Sequence, residues 1–186
     1  MRYEVLAAGA GGQGVLLLGE VMAYGAMLEG REVAWVPSYG PEMRGGTANC
    51  SLVIADVPLG SPLVEEADLL IILNEPSLER FRGRLKAGGV LLWNSSTIKE
   101  GSPDEGRGSF GIPANELALK AGNVLSANMV MLGAAVELTG VLRWESLERA
   151  LEHYMAGRKE RYLELNRKAL HEGANFLKNK ILSAKT

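Results

Sequence analysis

A glycine-rich turn near the start of the chain is the first feature whose residue types and spacing could do chemistry. Gly9, Gly11 and Gly14 follow the spacing G-x-G-x-x-G, and Gln13 adds a side-chain amide. Glycines let a backbone turn tightly and approach a ligand closely, and the N-terminus of a following helix offers free N–H groups and the positive end of its dipole. We therefore predict an anion-binding turn formed by Gly11, Gly12, Gln13 and Gly14.

The elements around this turn test whether the anion belongs to a dinucleotide. A short apolar strand is predicted over residues 3–8, a helix over 13–28 and a second strand over 32–36, ended by Pro37. A dinucleotide-binding Rossmann enzyme carries an acidic residue at the end of that second strand to bind the ribose. Neither Asp nor Glu stands at that position here, which argues against ordinary dinucleotide binding. The alternative is that the glycines only pack the helix on the sheet or face a partner subunit.

The segment 37–46 follows the second strand and is predicted to be a structured loop, since it holds two prolines and three glycines. Arg44 can bind a phosphate or carboxylate through two hydrogen bonds. The alternative is a Glu42–Arg44 pair that orders the loop at an interface. Both loops leave the carboxyl ends of strands, so we expect them to be neighbours. The candidate ligand-binding residues of this loop are Ser38, Tyr39, Glu42, Arg44, Gly45 and Gly46.

The rest of the chain predicts how the two loops are supported. Apolar patterning predicts an alternating, half-exposed strand, a turn with a short edge strand, and buried strands: 47–55, 56–60, 69–73 and 90–93, the last after a turn at Gly88-Gly89. Helices are expected at 77–84, 114–120, 128–139, 145–155 and 158–180, and a loop at 94–111. This order predicts a single α/β domain over residues 1–186. We expect a three-layer α/β/α sandwich with a Rossmann-like start, a mixed sheet and a C-terminal helical portion at 145–186.

Composition and charge exclude several classes of function. The 186 residues carry a formal net charge of -2 with no basic tract, so a nucleic-acid partner is not expected. No stretch is long and apolar enough to span a membrane, and the N-terminus does not resemble a signal peptide, so a cytoplasmic location is expected. Cys50 is the single cysteine and cannot hold an iron–sulfur cluster alone. His153 and His171 lack metal-ligand spacing, so we predict no metal site and no catalytic residue.

The motifs also carry a resemblance to a known family. Gly11-Gly12-Gln13-Gly14, followed by Pro-Ser-Tyr-Gly-Pro-Glu-Met-Arg-Gly-Gly at 37–46, resembles the signature of the gamma subunits of 2-oxoacid:ferredoxin oxidoreductases. Further matches follow in order at Ser61-Pro62, Ala67-Asp68, Leu73-Asn74, 85–89 and 127–134, so the likeness covers most of residues 3–155. The Ser-Tyr-Gly-Pro-Glu form of the loop looks more like the branch acting on 2-oxoglutarate or branched-chain oxoacids than the indolepyruvate branch.

The resemblance implies a subunit of an enzyme that oxidatively decarboxylates a 2-oxoacid such as pyruvate or 2-oxoglutarate, forms acyl-coenzyme A and passes electrons to ferredoxin. It implies alpha, beta and ferredoxin-like delta subunits as partners, which carry the thiamine diphosphate, the iron–sulfur clusters and most substrate contacts. This chain would bind no cofactor alone but would help form the coenzyme A cleft, because the anionic pyrophosphate suits the two loops. The isolated chain is expected to be inactive and to self-associate through its exposed partner-facing surface. The alternatives are a stand-alone Rossmann-type nucleotide-binding protein and a purely structural adaptor.

Overall fold

The computed structural model describes residues 1–39, 46–99, 108–157 and 162–183. Within these residues, six strands form one mixed sheet: β1 (Arg2–Ala10), β2 (Glu32–Tyr39), β3 (Thr47–Ala55), β4 (Ala67–Ile72), β5 (Leu85–Asn94) and β6 (Ser109–Ile112). The helices are α1 (Val15–Leu28), α2 (Glu75–Phe81), α3 (Ala114–Ala121), α4 (Ala127–Thr139), α5 (Trp144–Met155) and α6 (Leu163–Ser183). Short 3-10 turns follow α2 at Arg82–Arg84 and precede α4 at Val124–Ser126.

The order of the strands places several loops at one edge of the sheet. The strands lie in the order β2-β3-β1-β4-β5-β6. Strand β3 is antiparallel to both of its neighbours, and the pairs from β1 to β6 on the other side are parallel. The carboxyl ends of β1, β2, β4 and β5 therefore share an edge with the amino end of β3. We call this the carboxyl edge.

Helices cover both faces of the sheet, as the three-layer prediction requires. Alternate residues of β1 enter different cores: Val5 and Ala7 pack with α1, α3, α4, α5 and α6, whereas Leu6 and Ala8 pack with α2 and with Ile98. Because strand side chains alternate between faces, a short apolar strand can serve both cores. The α/β prediction is confirmed, with most of the helical mass on one face.

The second strand extends further than the sequence predicted. We expected it to end before Pro37, but β2 continues to Tyr39, with Pro37 opposite Cys50 of β3. Since β2 lies at the edge of the described sheet, the missing N–H of the proline removes no hydrogen bond to a second neighbour. That prediction was wrong because an edge strand tolerates proline where a central strand does not.

Other predictions differ in smaller ways. The predicted loop at 94–111 contains β6, four residues long and thus too short to show an alternating pattern. The predicted turn at Gly88-Gly89 lies inside β5, where its pairing with β4 shifts register. No strand forms among the described residues 56–60. Strand β3 was expected to have one exposed face, but Val53 on that face is buried.

Two glycines bring α4 and α6 unusually close together. A Cβ on Gly133 would lie 1.9 Å from the carbonyl oxygen of Leu170, and one on Gly173 would lie 1.9 Å from that of Val130. Only glycine fits either position, so α6 packs directly on the backbone of α4 and shares its core. None of the described helices combines the length and apolar character needed to cross a bilayer.

Candidate functional site

The side chain of Gln13 closes the glycine turn against the sheet. Its Oε1 accepts a hydrogen bond from the backbone nitrogen of Ala10 at 2.7 Å, and its Nε2 donates to the carbonyl oxygen of Leu73 at 3.2 Å. These bonds join the ends of the neighbouring parallel strands β1 and β4. The geometry therefore gives Gln13 a positioning role, and a direct contact with a ligand stays a prediction.

Gly14 begins α1 in a conformation and a space that only glycine fits. Its φ is 72°, in the left-handed region, and an added Cβ would lie 2.4 Å from Nδ2 of Asn128. Asn128, near the start of α4, donates from that nitrogen to the carbonyl oxygen of Gly14 at 3.0 Å. The starts of α1 and α4 are thereby joined. Asn128 was part of a matching motif, but its positioning role was not predicted; a polar residue in an apolar helical run was the available signal.

The two candidate loops meet, as expected. The backbone nitrogen of Gly11 donates to the carbonyl oxygen of Gly46 at 2.9 Å, which confirms that they are neighbours. Ser38 lies on exposed edge strand β2 opposite Asn49, and Tyr39 ends that strand. The side chain of Tyr39 and the remaining predicted residues lie outside the described part of the structure: Glu42, Arg44 and Gly45.

A cavity of about 170 Å³ opens at the carboxyl edge next to the glycine turn, and we call it the glycine-loop pocket. Its lining includes Gly12, Gln13, Leu73, Asn94, Asn115 and Leu125. The chain leaves β1 through α1 towards one side of the sheet and leaves β4 through α2 towards the other side. Such a reversal of strand order opens a crevice, and open α/β sheets bind their ligands there.

Asn94 organises the far wall of this pocket from the end of β5. It is 1% exposed, donates from Nδ2 to Oδ1 of Asn115 at 3.0 Å, and accepts at Oδ1 from the backbone nitrogens of Ala114 at 3.2 Å and Ser96 at 3.1 Å. The side chain of Asn94 thus caps the start of α3. The sequence analysis placed Asn94 at the start of a loop; its place directly after a buried strand was the signal for a positioning role.

Ser96 completes that cap and also lowers the pKa of a neighbouring carboxyl group, that of Glu116. Its Oγ accepts from the backbone nitrogen of Asn115 at 3.0 Å and donates to the carboxylate of Glu116. That hydrogen bond from Ser96, together with one from the backbone, holds the pKa of Glu116 below its ordinary value. By contrast, no side chain caps the start of α1 or of α4. The start of α5 also lacks a side-chain cap, but the starts of α1 and α4 are the ones that lie beside the glycine-loop pocket, where their N–H groups can serve a ligand.

The remaining reactive side chains fit structural roles. Cys50 is 1% exposed, and burial raises its thiol pKa to about 11, so it is protonated at neutral pH. His153 stacks on Tyr24 at 4.2 Å between ring centres, and Nε2 of His171 lies 3.0 Å from the Glu148 carboxylate. Within the described residues, no group of three or more His, Cys, Asp or Glu side chains is arranged to hold a metal ion.

Comparison with known proteins identifies the family. Residues 4–176 match the family described as Pyruvate ferredoxin/flavodoxin oxidoreductase. The chain belongs to that family. Two curated family relatives illustrate the range. Ketoisovalerate oxidoreductase subunit VorA of Methanothermobacter thermautotrophicus is 42% identical over 181 residues, which are 96% of this chain. 2-Oxoglutarate synthase subunit KorC of Methanocaldococcus jannaschii is 34% identical over 154 residues, which are 81% of this chain and 82% of KorC.

The family relatives differ in length. The chain spans only 37% of VorA, whereas KorC is close to it in size. Among solved structures, the gamma subunit of the keto/oxoacid ferredoxin oxidoreductase from Geobacter sulfurreducens is 34% identical, with a TM-score of 0.80 over 94% of this chain and 95% of that one. The resemblance to gamma subunits is therefore confirmed. The 2-oxoglutarate:ferredoxin oxidoreductase from Magnetococcus marinus has a TM-score of 0.84 over 96% of this chain and 31% of that one, at 24% identity, and shows the same fold.

Proposed function

We propose that this chain is the gamma subunit of a multi-subunit 2-oxoacid:ferredoxin oxidoreductase in the cytoplasm. In that enzyme a 2-oxoacid is oxidatively decarboxylated to acyl-coenzyme A, and the electrons pass to ferredoxin. Family membership supports this role, as do the likenesses to KorC over 81% of this chain and to the Geobacter gamma subunit over 94% of it. The proposal makes residues 1–186 one gamma domain. Its alpha, beta and ferredoxin-like delta partners supply thiamine diphosphate and the iron–sulfur clusters, since the single cysteine here is a buried, protonated thiol.

Within that complex, the glycine-loop pocket is proposed to hold the anionic part of coenzyme A. The observation that carries this proposal is the position of the pocket, between the carboxyl ends of β1 and β4, where Gln13 joins the strands. The starts of α1 and α4 lie beside it without side-chain caps and suit a pyrophosphate. Arg44 adds a guanidinium to the neighbouring loop. The other proposed ligand residues are Gly11, Gly12, Gly14, Ser38, Tyr39, Glu42, Gly45 and Gly46.

The substrate class is proposed to be 2-oxoglutarate or a branched-chain 2-oxoacid. Identity is 42% to the VorA relative and 34% to KorC, against 30% to the indolepyruvate oxidoreductase subunit IorB of Methanothermobacter thermautotrophicus. The partner subunits are expected to make most contacts with the oxoacid. This chain therefore affects the substrate class through the partner subunits with which it assembles.

Purification of the chain from its native host tests the assembly. We expect it to co-purify with subunits that contain thiamine diphosphate and iron–sulfur clusters. The purified complex should reduce ferredoxin when given coenzyme A and 2-oxoglutarate or ketoisovalerate, with less activity on indolepyruvate. Purification as a lone chain, together with tight binding of NAD(P) in calorimetry, would instead support a stand-alone nucleotide-binding protein.

Binding of coenzyme A to the assembled complex tests the pocket. The Arg44→Ala complex is expected to bind coenzyme A about 10-fold more weakly, the effect of losing a hydrogen bond to a charged group. Arg143→Ala is the matched control, because Arg143 is exposed at the start of α5 beside Glu29. Normal coenzyme A binding by both Arg44→Ala and Gln13→Ala complexes, with assembly intact, would leave the chain a purely structural adaptor.

A further inference from the structure

The side-chain amide of Asn94 has only one possible orientation. Its Oδ1 accepts hydrogen bonds from two backbone nitrogens, that of Ser96 at 3.1 Å and that of Ala114 at 3.2 Å. Only the oxygen of a carboxamide accepts, so a reversed amide would point its NH₂ group at two other donors. Asn94 is 1% exposed, and no solvent would compensate for that arrangement. Nδ2 of Asn94 must therefore face Asn115.

The orientation of Asn94 in turn determines that of Asn115, the second residue of α3. Nδ2 of Asn94 donates to Oδ1 of Asn115 at 3.0 Å, so the oxygen of Asn115 lies on the side of Asn94. Nδ2 of Asn115 is the other end of that amide. In the described part of the chain it donates to no acceptor, and it is not among the polar atoms sealed from solvent. Asn115 therefore holds a fixed, unused donor where its side chain lines the glycine-loop pocket.

The other described polar groups of this pocket that remain available are donors as well. The carboxamide of Gln13 is occupied, because it bonds to the backbones of Ala10 and Leu73. The starts of α1 and α4 carry no side-chain cap, so their first N–H groups still lack a side-chain acceptor. A ligand that pairs with these groups must bring acceptor atoms of its own, as a phosphoryl or carbonyl oxygen does.

We propose that Asn115 contacts the ligand of the glycine-loop pocket and donates from Nδ2 to one of its acceptor oxygens, a phosphoryl or an amide carbonyl oxygen. Asn94 is the positioning residue, because it turns the donor of Asn115 towards the pocket. This role rests on the proposed function, in which the ligand is coenzyme A, and adds a side chain that selects for an acceptor. Neither asparagine belongs to the two loops in which the sequence predicted the ligand-binding residues.

Asn115→Asp in the assembled complex separates a ligand contact from a structural role. Aspartate keeps an oxygen that accepts from Asn94, but a second oxygen replaces the donor and repels an acceptor. Coenzyme A is expected to bind about 100-fold more weakly in calorimetry, while the urea midpoint of the chain should change little. Asn175→Asp adds the same charge at an exposed position of α6 and should leave binding unchanged. Binding by the Asn115→Asp complex as tight as by the wild type overturns the proposal.

Competition with coenzyme A distinguishes the two sources of the acceptor oxygen. Inorganic pyrophosphate carries the phosphoryl oxygens, and pantetheine carries the amide carbonyl oxygens. Asn115→Leu removes the donor without adding a charge. The competitor that Asn115 contacts should lose about 10-fold in affinity in that variant, the effect of roughly one hydrogen bond, and the other should keep its affinity. Unchanged affinity for both competitors would reject the contact.

A double-mutant cycle tests the positioning role of Asn94. Asn94→Ala should weaken binding of coenzyme A in the wild-type complex but not further in Asn115→Ala, because Asn94 acts on the ligand through Asn115. Additive losses would show that Asn94 only supports the start of α3. If Asn94→Ala does not fold, Asn115→Asp still decides whether Asn115 contacts the ligand.

The same binding measurements separate a failure of this contact from a failure of the proposed function. Weak coenzyme A binding by Arg44→Ala and Gln13→Ala complexes, with normal binding by Asn115→Asp, would reject the role of Asn115 alone. Normal binding by all three variants would reject both the contact and the coenzyme A pocket.

Discussion

Asn128 donates a hydrogen bond from its side-chain Nδ2 to the carbonyl oxygen of Gly14, joining residues 114 positions apart in sequence. The bond fixes the start of α4 against the start of α1, and the glycine-loop pocket lies beside this junction. The shape of that pocket therefore depends on one amide and on the absence of a Cβ at Gly14.

Gly14→Ala is expected to lower the free energy of unfolding by roughly 2–3 kcal/mol. The left-handed conformation costs an alanine about 1–2 kcal/mol, and the Cβ would displace Asn128 and break its hydrogen bond, worth about 1 kcal/mol. Gly12→Ala is the control, since Gly12 has a φ of 95° but no atom within 4 Å of an added Cβ. Urea denaturation of both variants measures the difference. Equal losses would show that the contact with Asn128 contributes nothing.

Gln13→Met is expected to loosen the glycine turn while keeping the size of the side chain. Two hydrogen bonds are lost, so we expect a fall of about 2 kcal/mol in the free energy of unfolding. The decisive measurement is hydrogen exchange at the amide of Ala10, whose acceptor is Oε1 of Gln13. Thr97→Val is the control, because it removes the hydroxyl that donates to the carbonyl oxygens of Leu73 and Asn94 but leaves both bonds of Gln13 in place. Unchanged protection of Ala10 in Gln13→Met would contradict the positioning role.

Gly173→Ala is expected to separate α6 from α4. The added Cβ would meet the carbonyl oxygen of Val130 at 1.9 Å, which is backbone and cannot rotate away. Overpacking of this kind costs about 1–3 kcal/mol or more, so we expect a loss at or above the top of that range. Gly25→Ala on α1 is the control, because its nearest neighbour is the flexible end of Leu142 at 3.0 Å. Thermal unfolding followed by circular dichroism compares the two; a similar melting temperature would show that the crossing tolerates a methyl group.

An ion-pair network stabilises the opposite edge of the sheet. Nζ of Lys86 lies 2.7 Å from the Glu4 carboxylate and 2.9 Å from that of Asp68, and Arg2 also pairs with Glu4 at 2.7 Å. Burial opposes the charged forms, but the hydrogen bonds outweigh it. They hold the pKa of Glu4 below its ordinary value and that of Lys86 above its own.

Lys86→Met is expected to lower the free energy of unfolding at neutral pH by about 1 kcal/mol. A carboxyl group with a lowered pKa stabilises the folded state above its unfolded pKa of about 4.3, and this contribution disappears as the pH falls through the folded value. The variant should therefore lose less stability than the wild type on acidification. The raised pKa of Lys86 keeps its own contribution until the pH passes the ordinary lysine value. Lys120→Met, which breaks an exposed pair with Glu172, should change little.

The sequence predicts the local elements well because each has a strong pattern. The apolar run in β1, the alternation in β3 and the glycines that precede and follow α1 all correspond to elements in the structure. The place of β3 between β1 and β2 could not be read in this way. Alternation determines which side chains face the core, but it does not determine which strands become neighbours.

The sequence predicted the part of the candidate site that lies in the glycine turn and missed the part that depends on asparagine side chains. Gly11 and Gly46 meet as expected, because loops at one sheet edge must be close. Asn94 and Asn128 are separated from the glycine turn by many residues, and an asparagine in sequence can be a cap, a turn or a ligand. Only the fold shows that Asn94 organises α3 and that Asn128 joins two helices.

The proline in β2 has a consequence for how this protein meets other chains. Pro37 removes a backbone donor from one outer strand of the described sheet, and β6 at the other side is four residues long. Neither border is a good template for adding a strand from another molecule, so a continuous intermolecular sheet is disfavoured. Whether the chain joins partner subunits or a second copy of itself, helices and loops should make the contact. No strand of another molecule should pair with this sheet.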